Sequence, residues 1–160
     1  MLKISAVLVA EWDPAVKLGI YAVAVADVPS TDASFKLAHV ELGILASIDF
    51  GQGVTKFEAQ LAPSSFILDP MCHLSGGFAL YYWFKDGIQQ TKGDWVFTLG
   101  GYHQALSPPP PYCGGPPQYP NPPRLQISWS LGPLSITGLA YFAITVPPMY
   151  AWRAGRCTLR

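Results

Sequence analysis

Charge is what this sequence has least of. Only 12% of its 160 residues are Asp, Glu, Lys or Arg, about half the share of an average soluble domain. Ten basic residues balance ten acidic ones, so no field of one sign draws the chain to nucleic acid or to an anionic membrane surface. The balance hides one asymmetry: Arg153, Arg156 and Arg160 close the chain and leave the body mildly acidic. Cysteine is scarce too. Cys72, Cys113 and Cys157 are odd in number and unrelated in spacing, which points to free thiols and away from a disulfide framework or zinc knuckle. No run approaches 18 apolar residues, so no membrane-spanning helix is expected. The apolar run from Ile4 to Ala10 stops at Glu11 and reads as a strand, not as a signal-peptide core. Helical signals are weak too, because few windows repeat at 3.6 residues.

What is present is alternation. Half of the residues are hydrophobic, and β-branched and aromatic residues fill most periodic runs. The dominant stretch, Leu74 to His103, reads as two aromatic strands joined by a polar link. Phe78, Leu80, Tyr82 and Phe84 recur at period two, as do Trp95, Phe97 and Leu99 in the partner, so these positions are expected to form the core face. Ala79, Tyr81 and Trp83, on the other face, are also apolar, which places this strand between two layers or against a partner.

Taken in order, residues 3–11 and 16–28 form a first hairpin, linked through Trp12-Asp13-Pro14-Ala15. Alanines at 22, 24 and 26 suggest close approach of another layer. Residues 36–50 carry Ala38, Val40, Leu42, Ile44, Ala46, Ile48 and Phe50 on one face, with His39, Glu41, Ser47 and Asp49 on a wet one. After Gly51-Gln52-Gly53 the chain returns with Phe57, Ala59 and Leu61 inward and Lys56, Glu58 and Gln60 outward. Residues 62–73 lie between prolines and are expected to be an edge segment or loop. Residues 124–131 and 134–146 give a last hairpin across Gly132-Pro133. The expected fold is an all-β, antiparallel sheet of about eight long strands, curved or a partly open barrel or sandwich, and part of a larger β domain. It occupies residues 1–146, with a proline-rich loop at 107–123 (SPPPPYCGGPPQYPNPP) that can be neither helix nor ladder strand. Residues 147–160 are an irregular tail.

The segments KLAHVELGILASID, FILDPMCHLSGGFALYYWF, GDWVFTLGGYH, YPNPPRLQISWS and LSITGLAYFAIT together resemble a domain-of-unknown-function family, DUF6603, found in long fungal and bacterial proteins. The similarity runs from about Leu2 to Thr145. It implies a section of a larger β domain and supplies no activity, ligand or catalytic residue. The sequence departs from the family pattern at Pro110 to Gln118, which is extra length, and after Thr145. The tail is therefore expected to derive from a frame change or unspliced stretch.

No catalytic or metal-binding group is assigned, and no cofactor is expected. His39, His73 and His103 can gather with Glu41, Asp69 or Cys72 only through the fold, since none has ligand spacing. Cys72 and His73 are neighbours that point to opposite faces of a strand. Glu11, Asp27, Glu41, Asp49, Glu58, Asp69 and Asp94 sit on wet faces or turn corners, as solvated or capping groups. No glycine pair opens a helix, so no phosphate cradle is indicated. The candidate ligand-binding residues are aromatic: Tyr81, Trp83, Trp95, Tyr102, Tyr112, Tyr119 and Trp129 can line a groove. The favoured reading is a non-catalytic structural or interaction module whose partner is the remainder of a larger protein or another chain. A sheet that binds lipid or another apolar ligand is the alternative, and a carbohydrate-binding module the second.

Overall fold

A computed structural model describes residues 1–29, 35–86, 92–102 and 119–145. Tyr112, His103, Cys113, Cys157, most of the proline-rich loop and the tail at 147–160 lie outside the described residues. The strands are β1 (Leu2–Glu11), β2 (Lys17–Val28), β3 (Ala38–Asp49), β4 (Val54–Leu61), β5 (Phe66–Ile67), β6 (Asp69–Ser75), β7 (Gly77–Trp83), β8 (Trp95–Leu99), β9 (Leu125–Leu131), β10 (Leu134–Ala140) and β11 (Phe142–Thr145). All eleven join antiparallel in one sheet, which stays open and does not close into a barrel.

The eleven described strands fall into seven columns, of which β1, β2 and β3 are unbroken and the other four are each broken once, along a single line. With β2 covering one edge of β3 from Ala38 to Asp49, β4 and β5 follow one another along its other edge, on Leu42–Asp49 and on Ala38–His39. In the same way β6 and β7 succeed each other beside β5 and β4. Next, β9 and β8 lie beside β6 and β7, and β10 and β11 lie beside β9 and β8. The breaks fall at 62–65, Gly76, the excursion from Gly100 to Arg124, and Tyr141. Across them the sheet is stitched by Leu61 N–H to Gly76 O (2.8 Å), Gly77 N–H to Pro123 O (3.1 Å) and Gly100 N–H to Gly77 O (2.8 Å). Gly76 stands at φ 128°, and a Cβ there would fall 2.6 Å from Leu125 Cα, so only glycine lets the neighbouring column pass this close. At 62–65 the fully buried Ser65 pins the break to β3: its hydroxyl accepts from Glu41 N–H (3.0 Å) and donates to Glu41 O (3.2 Å).

Three expectations are corrected. Residues 69–75 are not a loop or an edge: β6 lies between β5 and β9. Pro70 is tolerated because the β9 ladder begins beyond it, at Cys72, and a proline near a strand's start costs no bond. The stretch 134–146 is not one hairpin arm, since β10 pairs with β9 while β11 pairs with β8. The core, finally, does not sit on the Phe78, Leu80 and Tyr82 face. It sits on the opposite one, where Val54, Ala79, Tyr81, Trp83 and Val96 are buried together with Tyr102 and packed by Tyr119. The physical reason is the excursion after β8, whose two described ends fold back over that face.

Candidate functional site

The register fixes which side chains share a face, because directly opposed residues of an antiparallel pair point the same way. Followed from β1 to β4, every charged side chain falls on one face: Lys3, Glu11, Lys17, Asp27, Glu41, Asp49, Lys56 and Glu58, with His39 among them. The other face carries none. One of its rows runs Leu8, Ile20, Ala46, Phe57, Leu80, Phe97 and Ile144, across all seven columns. The next row runs Ala6, Ala22, Ile44, Ala59, Phe78, Leu99 and Phe142. Phe57, Phe78 and Phe97 form a ladder of rings with centroids 5.7 and 6.4 Å apart. Several side chains of this face are open, with Leu8 69% exposed, Ile20 45% and Leu80 40%, while Ala59 in its middle is buried. With strands about 4.8 Å apart and residues rising about 3.4 Å, the apolar face measures on the order of 700 Å². That exceeds the largest apolar patch of a typical monomer, roughly 300–600 Å².

The charged face holds the aromatic group. Tyr81 and Trp83 meet edge to face (5.9 Å), Trp83 meets Tyr119 (6.1 Å), and Tyr119 meets Tyr102 (6.4 Å). Four of the seven candidate aromatics are thus brought together, but as packing: Tyr81, Trp83 and Tyr102 are buried. Trp95 is on the opposite, apolar face beside Tyr82, and Trp129 lies on β9, paired with Cys72 and Ile136. The structure does not bring these two into the group.

The described ends of the excursion, residues 100–102 and 119–124, form a strap over the aromatics and are tied together by Arg124, whose guanidinium donates to Tyr102 O and lies 4.3 Å from the centre of the Tyr141 ring. Thr98, fully buried, donates its hydroxyl to Gly101 O (2.8 Å). Burial pushes the Tyr81 phenol well above the ordinary tyrosine range, helped by its hydrogen bond to the Glu58 carboxylate. Burial also raises Tyr102, with Tyr119 adding to it. Beside the strap a trough of about 710 Å³ crosses β1, β2, β3, β4 and β7. Its lining includes Tyr21, Leu45 and Glu58 of the charged face, together with Asn121, Pro122 and Pro123.

The two described histidines, His39 and His73, do not gather. His39 faces Asp27 at 2.6 Å, and Lys36 Nζ reaches the same carboxylate at 3.1 Å. This cluster was not readable from spacing, since the β2–β3 register alone brings positions 27 and 39 together. His73 and Cys72 diverge: Cys72 is buried opposite Trp129, and His73 is exposed opposite Ser128. Asp69 accepts from Met71 N–H (2.7 Å) as a local cap, and Glu41 accepts from the Ser64 hydroxyl (2.8 Å) across the break at 62–65. Among the described residues no three His, Cys, Asp or Glu side chains are placed to hold a metal ion, and no helix is long and apolar enough to cross a membrane.

Together these features define an open antiparallel sheet with one charged, strapped face and one apolar, open face. The chain belongs to DUF6603, a family of unknown function, whose model matches residues 1–150. No curated protein and no solved structure matches it.

Proposed function

We propose that this chain is a non-catalytic structural and interaction module whose apolar face is covered by a second protein layer, from the remainder of a larger protein or from another chain. One observation carries the reading: rows of apolar side chains cross all seven columns without a charge. Burying one Leu, Ile or Phe side chain is worth roughly 1.5–3 kcal/mol, so several of these rows together offset an association cost of about 4–15 kcal/mol. The area also approaches the roughly 800 Å² per partner of a standard interface. Sheet-on-sheet packing is the geometry such a face accepts.

The second reading, an apolar-ligand or lipid-binding sheet, draws on the same face. It has less support because the trough that crosses five strands lies beside the strap, on the charged side.

Ile20→Lys and Leu80→Lys test both. On an open docking face each variant stays folded by circular dichroism, binds less of a hydrophobic dye and self-associates less. Loss of the β signal would show that the face is already internal packing. Native mass spectrometry separates the two readings: extra mass that dissociates as fatty acid or phospholipid favours the second, and a ligand-free chain the first.

A further inference from the structure

The β1 edge carries a separate property, independent of what covers the apolar face. Among the described residues β1 pairs with β2 alone and forms one rim of the sheet. Met1 and Asp27 exchange two backbone bonds, N to O at 2.6 Å and 3.1 Å. Because hydrogen-bonding direction alternates along an antiparallel strand, the odd residues of β1 bond β2. Leu2, Ile4, Ala6, Leu8 and Ala10 send their N–H and C=O groups outward. Protected edges carry a proline, a bulge or a central charge. β1 has no proline, its register with β2 is unbroken, and its only charges are Lys3 and Glu11, near its two ends.

We propose that this rim is self-complementary and that two copies of the chain pair through it, β1 to β1, antiparallel about a twofold axis at Val7. In that register Ile4 bonds Ala10 of the second copy and Ala6 bonds Leu8. These are the outward-pointing residues, so donors meet acceptors along the whole strand. Lys3 of each copy then stands directly opposite Glu11 of the other, in the closely spaced, non-hydrogen-bonded class of pair. A shift of one residue turns outward groups against inward ones, and a shift of two puts Lys3 across from an uncharged residue or past the strand. The twofold runs perpendicular to the sheet, so both apolar faces stay on one side and both charged faces on the other. The assembly is closed, as an isologous contact requires.

The test is sedimentation of the full chain and three variants. Lys3→Glu and Glu11→Lys each replace both opposite-charge pairs with like-charge pairs. Each is expected to raise the dimer dissociation constant about 10-fold at low salt, and the double variant Lys3→Glu/Glu11→Lys to restore it. Val7→Cys is expected to oxidise to a covalent dimer, since about 4.5 Å between Cα atoms suits a disulfide. The proposal is overturned if the double variant associates as weakly as the single ones, or if all forms associate equally. It is also overturned by open-ended polymers, which would mean β1 pairing with the far rim, and by a wild-type chain that stays monomeric while Val7→Cys fails to cross-link.

Discussion

Asp27 and His39 face each other across β2 and β3 with Oδ1 and Nδ1 2.6 Å apart, and the carboxylate is all but sealed from solvent at 2% exposure. The histidine hydrogen bond holds the Asp27 carboxyl below the ordinary aspartate range against the upward push of burial, and Lys36 assists. A carboxylate depressed in the folded state adds stability above its unfolded value and loses it as pH falls through its folded one. Thermal stability is therefore expected to hold at neutral pH and to decline below about pH 4. Asp27→Asn is expected to be less stable than wild type at pH 7 and to converge with it in acid. A constant gap across that range in melting scans would refute the assignment.

Tyr81 and Tyr102 make the opposite prediction at the alkaline end. Their phenols are raised by burial first, so the unfolded chain ionises before the folded one and stability falls as pH rises above about 10. Titration followed by ultraviolet absorbance is expected to show part of the tyrosine signal withheld until the protein unfolds. Tyr81→Phe, which removes the donor to Glu58, is expected to cost about 1 kcal/mol at pH 7.

Val96 and Ile20 report which face is the core. Val96 is fully buried under the strap, and Ile20 is 45% exposed on the apolar face. Val96→Ala is expected to cost about 2–3 kcal/mol by the cavity it leaves, and Ile20→Ala under about 1 kcal/mol. Denaturant unfolding with the reverse order would move the core to the other side.

Two glycines with similar backbone angles differ in surroundings. Gly132 turns β9 into β10 at φ 59° with open space around it, whereas a Cβ at Gly100 (φ 71°) would sit 2.5 Å from Ala140 O. Gly132→Ala is expected to cost about 1 kcal/mol. Gly100→Ala is expected to cost on the order of 3 kcal/mol, because the β8 and β10 columns must part. Equal losses in melting experiments would remove the close approach as the cause.

Period-two alternation made the hairpins legible. It placed β1 against β2 and β3 against β4, and it separated His39 and Glu41 from Val40 and Leu42. It did not reveal which face of β7 is covered, since both are apolar and the answer depends on Tyr102 and Tyr119, distant in the chain. Nor did it show the split at Tyr141: the partner of Phe142 is Leu99 and that of Leu139 is Gln126, a distinction no local pattern encodes. The Pro63 and Pro70 pair disguised β6, whose pairing with β9 begins just past the second proline. The aromatics were visible as a class, but whether a ring packs or is presented depends on long-range contacts.

The separation of charge from apolar surface has consequences for how the gene can change. Faces alternate every residue, while insertions and deletions arrive in whole codons. One codon gained in the middle of β3 turns the remainder of the strand over, carrying charge onto the apolar side and leucine onto the other. Two codons leave both faces intact and only slide the strand. Strand lengths in this sheet are therefore free to drift by pairs and constrained against single steps. The exception is the line of breaks at 62–65, Gly76 and Tyr141, where an unpaired residue already interrupts the ladder and one more can be taken up without inverting anything.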